Sequence, residues 1–520
     1  MKINLFVGRM RIVFAVVWLL VAAGLCVSCS DNSQDIDNEV VDRPQDGGND
    51  GADDGDDETD TPSDPDGSDD GDDTDEPENP DGDGDDEGDG EGEGDGDGED
   101  EGDPEDPEEP EEPEEPETPE EPHEYRIPVV RIHTSVYRGS ITKDDWVDGE
   151  IEIDGGSEFA GLALMKTQVK GRGNSTWGQK KKPYALKLDK KQEVLGMPKH
   201  KRWCLLANYM DNTHMRNRLA YHIGQNTGLA WTPRNEFAEV WFNDEYLGLY
   251  LVVEQIKVDE NRVDIPELSA SDISGEAVTG GYLLELDTYF DEAYKFKTTS
   301  TKMPVNLKSP DENVPAEQMK YIEDYMNSAD NAFLALWLGY GTAEQVYNLV
   351  DRGSMADFWI VNEVMGNYEI LHPKSTYLYK QRGGKLYAGP LWDFDYGTMR
   401  QSKTSAWMCY GLTAPTGYVE WSWYERSWWN ILITKDPSFR AEIKQRWQNL
   451  YPFLQSVPAF IELDRQRLAE AVKNNDKSGW KSPGGAPNED TGLSFDAAIN
   501  QLKNTYNSRI AWLNTQISRW

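Results

Sequence analysis

The sequence predicts an α+β protein in two lobes, with a β-rich front half and a helical back half, preceded by a disordered acidic linker. Three observations carry that expectation. Residues 31–122 are almost entirely Asp, Glu, Gly and Pro. Short alternating apolar and polar stretches fill the region from Ile127 to Leu286, the period of half-buried strands. Long stretches of helical period dominate from Ala316 onward.

The formal charge of −47 is concentrated in one place. Residues 31–122 hold 47 of the 97 acidic side chains and a single base, Arg43, for a charge of −46. Residues 1–30 carry +3 through Lys2, Arg9 and Arg11, and residues 123–520 set 50 acids against 46 bases. The region expected to fold is therefore nearly neutral, and nothing in its charge favours nucleic acid as a partner.

The basic start, followed by the apolar run Ile12–Leu25, has the form of a signal peptide over residues 1–28. Cys26-Val27-Ser28-Cys29 closes it, with a small residue directly before Cys29 as in a bacterial lipobox. Cys29 is thus the expected lipidation site. It would place an exported protein on the cell envelope, at the outer membrane, facing either inward or outward, with the membrane as its first partner. Residues 29–122 follow as a tether with too little to bury to offset its ordering entropy. The other two cysteines, Cys204 and Cys409, have no zinc-site spacing; they could pair in an oxidising compartment, but read rather as buried thiols.

Beyond the tether, strands are expected at Val129–Ile132 and Gly149–Ile153 in a β-rich segment spanning 123–165. More follow at Met165–Lys170, Tyr184–Leu188, Glu239–Phe242, Leu249–Glu254 and Tyr282–Leu286, with a hairpin turn at Asn243-Asp244-Glu245. A first helix fits Thr213–Gly224. The helical half comprises Ala316–Leu338, Ser354–Met365, Trp423–Leu454, Ile461–Val472 and Phe495–Trp520. Within it, Lys374–Lys380 and Lys385–Ala388 form a hairpin closed by Gly383-Gly384.

Three motifs carry chemistry. KGRGNSTWG (Lys170–Gly178) pairs glycines that allow a tight turn of N–H groups with a nearby Arg and three lysines, Lys180 to Lys182, which suits an anion. A glycine turn beside a solvated basic stretch would read the same. Trp392-Asp393-Phe394-Asp395 sets two carboxylates on alternate residues at a strand end, where they can hold a divalent cation, although an aspartate capping a turn is the commoner use. Glu369 lies 24 residues before Asp393, at a helix end ahead of the hairpin, in the order of a kinase catalytic loop and metal loop.

KGRGNSTWG, KKPYALKLDKK (Lys181–Lys191), LLANYMDNTHMRNRLAYHI (Leu205–Ile223), YLGLYLVVEQI (Tyr246–Ile256), GGYLLELD (Gly280–Asp287) and AGPLWDFDYG (Ala388–Gly397) occur in that order. Together they resemble the CotH family of spore-coat-type atypical protein kinases over about residues 127–450, most closely the lipoprotein branch of Bacteroides-like bacteria. The resemblance implies a kinase-like two-lobed domain over 166–455, with residues 456–520 as a helical extension. It implies transfer of the γ-phosphate of ATP to protein side chains with Mg²⁺ or Mn²⁺. By the same resemblance, Arg172, Asn174 and Ser175 fall near the nucleotide, Lys181 or Lys182 on the basic position, and Glu254 on the acidic position that would partner that lysine. Asp393, with Asp395 beside it, falls on the metal-binding aspartate. Glu369 and Ser375 stand where the family carries an Asp followed by an Asn.

Two classes of function are open from sequence alone. One is a phosphotransferase acting on a protein whose identity the sequence does not name. The other is a catalytically weak or inactive pseudokinase that binds a surface protein or glycan. The anchoring expectation is independent of that choice. Cys29→Ser is expected to leave a full-length chain without lipid, because the acyl chains need that thiol. Equal incorporation of labelled palmitate into the variant would contradict it.

Overall fold

The computed structural model describes residues 125–410 and 427–520. Strands β1 (Val129–Thr134), β2 (Val147–Asp154), β3 (Leu162–Gly171), β4 (Tyr184–Val194), β5 (Met197–Leu206), β6 (Asn235–Phe242) and β7 (Glu245–Glu254) form a closed barrel in the order β1-β2-β3-β4-β5-β7-β6. Neighbours are antiparallel except at the closure, where β1 lies parallel to β6 with Val129 opposite Glu239 and Ile132 opposite Phe242. Closure pairs every edge and removes the exposed strand that an open sheet would present. The inward positions Val130, Ile132, Ile151, Leu186, Trp203, Leu205, Val240 and Val252 fill one apolar core.

This barrel corrects the two-lobed kinase-like expectation. The segment 123–165 does not stand apart as a leading element, since β1 and β2 are barrel staves and residue 165 falls inside β3. Strand β5 escapes a reading by alternation because MPKHKRWCLL alternates poorly: its first half is basic, and its apolar residues crowd the end that enters the core.

A second sheet, ordered β12-β11-β8-β10-β9, is built from β8 (Tyr282–Leu286), β9 (Lys295–Lys297), β10 (Pro304–Ser309), β11 (Thr376–Lys380) and β12 (Leu386–Ala388). Helices α1 (Arg216–Gly224), α2 (Ala316–Leu338), α3 (Ala343–Tyr347), α4 (Arg352–Met365), α5 (Trp428–Lys435), α6 (Pro437–Asn475) and α7 (Phe495–Ile517) complete the fold. Their ends follow local chemistry. The Asp351 side chain accepts from Ser354 N at 2.7 Å to open α4, and Gly366, in the left-handed region at φ 68°, closes it. One continuous core joins α1 through Leu219 and Ile223, the sheet through Leu284 and Leu378, and α4 to α7.

The break expected between Leu454 and Ile461 is absent. Helix α6 runs on through Pro452 and Pro458, and the boundary at 455 lies within it. Buried Leu450, Leu454, Val457, Ile461 and Leu468 keep helical spacing across both prolines, so burial against α7 outweighs the lost backbone bonds. The helix start at Trp423, the signal peptide, Cys29 and the acidic tether lie outside the described residues. Cys204 and Cys409 are both buried free thiols. Among the described residues no helix is long and apolar enough to cross a membrane.

Candidate functional site

The segment from Leu391 to Thr398 leaves β12 and is pinned from three directions. Phe394 N donates to Asn217 Oδ1 of α1 at 2.7 Å, and Gly397 N donates to Asn488 Oδ1 at 2.6 Å. Asn488 Nδ2 in turn donates to the Asp395 carbonyl at 2.7 Å. Arg216 Nε donates to the Thr398 carbonyl at 3.2 Å. With Phe394 anchored in the core, the alternate residues are forced apart in environment: Asp393 is exposed, at φ 66°, while Asp395 is buried.

Arg216 is the centre of that support. It is 1 % exposed, and its Nη1 donates to Asp490 Oδ2 at 2.7 Å and to Asp211 Oδ1. Asp211 also accepts from the backbone of Thr213 at 2.9 Å and of Arg216 at 3.0 Å, and Asp490 from Gly485 N at 2.8 Å. One guanidinium thus ties the segment before α1, the loop between α6 and α7, and the acidic loop into one buried network.

Onto this fixed loop the other candidates converge. Arg172, at the end of β3, lays its guanidinium 5.1 Å from the centre of the Trp392 ring. Burial opposes its charge, but Cys204, Tyr377 and Asp393 outweigh it and keep its pKa above the ordinary value. That guanidinium has no hydrogen-bonded partner among the described residues. Glu369, in the turn after α4, is pushed well above the usual carboxyl range by burial and then by Asp393, against the pull of Lys374, with Asp287 and Asp395 adding to the rise. Asp395 is also raised well above its ordinary value, by burial first and then by Asp393 and Asp211. Ser375 Oγ donates to Asp393 Oδ2 at 3.5 Å.

The site therefore gathers carboxyls that repel one another beside an arginine whose donors are unused by the described residues. Among those residues no group of three or more His, Cys, Asp and Glu side chains is arranged to hold a metal ion. A pair such as Asp393 and Asp395 nonetheless fits Mg²⁺, which takes one or two carboxylates and completes its shell with water and phosphate oxygens.

The remaining sequence candidates lie elsewhere in the barrel. Asn174 is exposed and accepts from Lys143 Nζ at 3.2 Å, and Ser175 is exposed at the start of a short 3₁₀ turn. Lys182 donates to the Trp177 carbonyl at 2.5 Å and sits over the Trp177 ring. Lys181 is 1 % exposed and donates to the Leu249 carbonyl and, at 3.0 Å, to Asn475 Oδ1 at the end of α6. Gly248 beside it, at φ 92°, leaves room for that asparagine, since a Cβ there would stand 2.2 Å from Asn475 Oδ1. Glu254 faces Arg234 Nε at 3.0 Å and Arg262 Nε at 4.0 Å, so its partners are arginines and not a lysine.

Sequence reasoning misses Asp287, Lys374 and the Arg216 network. Asp287 is visible as the last residue of GGYLLELD, a carboxylate at a strand end. Nothing local distinguishes Asp490, which acts through a contact 274 residues away.

The glycine loop thus reaches the acidic loop through Arg172 on Trp392. The family model described as CotH kinase protein matches residues 169–513, about two thirds of the chain, and the chain belongs to the CotH family. No curated protein matches it.

Lys181 yields a pH prediction. Burial pushes its ammonium down to about 7, against a weaker pull from Asp476. The unfolded chain then holds a proton that the folded chain lacks between about 7 and the ordinary 10.5, so this group makes stability rise with pH across that window, by at most about 1.4 kcal/mol per unit. Urea unfolding at pH 7 and pH 9.5 is expected to show a smaller rise for Lys181→Met than for wild type. Equal rises would contradict the assignment.

Proposed function

We propose that this cleft binds ATP with Mg²⁺, or Mn²⁺, and transfers the γ-phosphate to a hydroxyl of a protein side chain. The observation that carries the reading is the guanidinium of Arg172, without a hydrogen-bonded partner among the described residues, set against the acidic loop and Trp392. Membership of the CotH family supports it.

In this reading Arg172 binds and orients the phosphates, and Trp392 holds the arginine plane in place. Asp393 and Asp395 would hold the cation, which when bound neutralises charge building on the transferred group. Glu369 accepts the proton of the acceptor hydroxyl. Burial and Asp393 raise its proton affinity, and positive charge entering the cleft would offset part of that rise. The acceptor oxygen gains the phosphoryl group, the β–γ bridging oxygen departs with its electron pair, and the hydroxyl proton passes to Glu369. We further propose that the lipid on Cys29 and the acidic tether present this domain at the cell envelope, where its acceptor is a protein.

One observation favours the second reading, a weak or inactive pseudokinase that holds a surface protein or glycan. Ser375 replaces the family's Asn with a shorter side chain that reaches Asp393 only at 3.5 Å. Phosphate transfer from labelled ATP separates the two. Wild type is expected to incorporate label with Mg²⁺ or Mn²⁺, and Asp393→Ala to lose both transfer and cation-dependent nucleotide binding. Glu369→Gln is expected to lose transfer on the order of 100-fold or more while still binding nucleotide. A silent wild type that regains transfer on Glu369→Asp with Ser375→Asn would establish the pseudokinase instead.

A further inference from the structure

Asp287 directly follows β8 and is 6 % exposed, and neither the glycine loop nor the acidic loop contains it. Its two carboxylate oxygens go to different places. Oδ1 accepts from Tyr289 N at 2.7 Å, the two-residue turn an aspartate makes with its own backbone. Oδ2 accepts from Ser375 N at 3.1 Å across the sheet. Thr288 N donates to the Pro373 carbonyl at 3.1 Å, and Leu286 pairs with Thr376 in the register of β8 and β11. The turn Pro373-Lys374-Ser375 is thereby gripped on both sides by the end of β8.

That grip has a geometric consequence. Ser375 is held at φ 45°, a left-handed conformation that a serine does not adopt without support. In it the Ser375 hydroxyl reaches Asp393, itself at φ 66°. The Tyr289 ring, set by the first hydrogen bond of Asp287, takes the Lys374 ammonium at 5.1 Å from its centre. Lys374 also counters part of the rise that burial and Asp393 cause at Glu369.

We infer that Asp287 is a positioning residue of the transfer site: by holding the Tyr289 and Ser375 amides at once, it sets Lys374 over Tyr289 and Ser375 against Asp393. This rests on the proposed phosphate transfer for its effect on rate, but the positioning itself does not. What Asp287 supplies is two hydrogen-bond acceptors in a fixed orientation. Asn retains one of them in the same volume, and Ala retains neither.

The test uses the full chain and three forms: wild type, Asp287→Asn and Asp287→Ala, each first checked for cooperative unfolding. Hydrogen exchange at the Ser375 amide reads the positioning without reference to activity. It is expected to quicken at least tenfold in Asp287→Ala. In Asp287→Asn, where the amide oxygen takes over the Ser375 contact, it is expected to stay within about threefold of wild type. In the phosphate-transfer assay, Asp287→Ala is expected to lower kcat about 100-fold while KM for ATP moves less than about threefold, with Asp287→Asn recovering at least tenfold of that loss. Unchanged Ser375 exchange in Asp287→Ala would overturn the positioning role. So would an Asp287→Asn variant as poor as Asp287→Ala, which would show that the charge acts rather than the turn, or a change confined to KM. If wild type transfers no phosphate while Ser375 exchange responds as stated, the transfer reading fails and the positioning stands.

Discussion

The buried guanidinium of Arg216 is the interaction on which the site depends. It lies between two fully buried carboxylates, Asp211 and Asp490, that repel one another and would be costly to keep in the interior without it. The three groups come from the start of α1, the turn ahead of it, and the loop between α6 and α7. Because Arg216 also holds the Thr398 carbonyl, the acidic loop is anchored through the same charge. Such an ion network contributes little net stability compared with apolar packing of the same volume, so its value here lies in fixing one arrangement of backbone. Asn217 and Asn488 then convert that arrangement into the alternating exposure of Asp393 and Asp395.

A rigid loop explains the electrostatics of the cleft. Carboxyls free to move would separate; held where they are, Asp393 and Asp395 raise the proton affinity of Glu369, and Asp393 raises that of Asp395. Lys374 offsets part of the rise at Glu369 from the sheet side, and Arg172 faces Asp393 from the barrel side. The site is thus built of opposed charges from two sheets, the arrangement on which the proposed binding of a cation with a phosphate chain rests.

Much of this was legible in the sequence, and the exceptions share a cause. Strand β2 announces itself by local alternation, β7 and β8 by short apolar runs, and α2, α4 and α7 by helical period. Asp393, Asp395, Glu369 and Arg172 stand out as chemistry-bearing residues at strand or helix ends, and the fold brings them to one neighbourhood. Barrel closure was not legible, because the parallel pairing of β1 with β6 joins residues about 110 apart and leaves no local mark. Lys181 and Glu254 sit in motifs of the right kind, yet their partners are set by Asn475 and Arg234, which only the folded chain brings near. Proline within α6 misleads for the same reason: a packed face extending over about ten turns overrides a local breaker.

On this reading Arg216, which would not itself touch the ion, creates the cation site by fixing the acidic loop. Equilibrium Mn²⁺ binding in the presence of ATP, followed by the electron paramagnetic resonance of the free ion, tests it directly in wild type and in Arg216→Met at a temperature where both are folded. A saturable site is expected in wild type, with at least tenfold weaker binding in the variant. Equal affinity in the two proteins would contradict it.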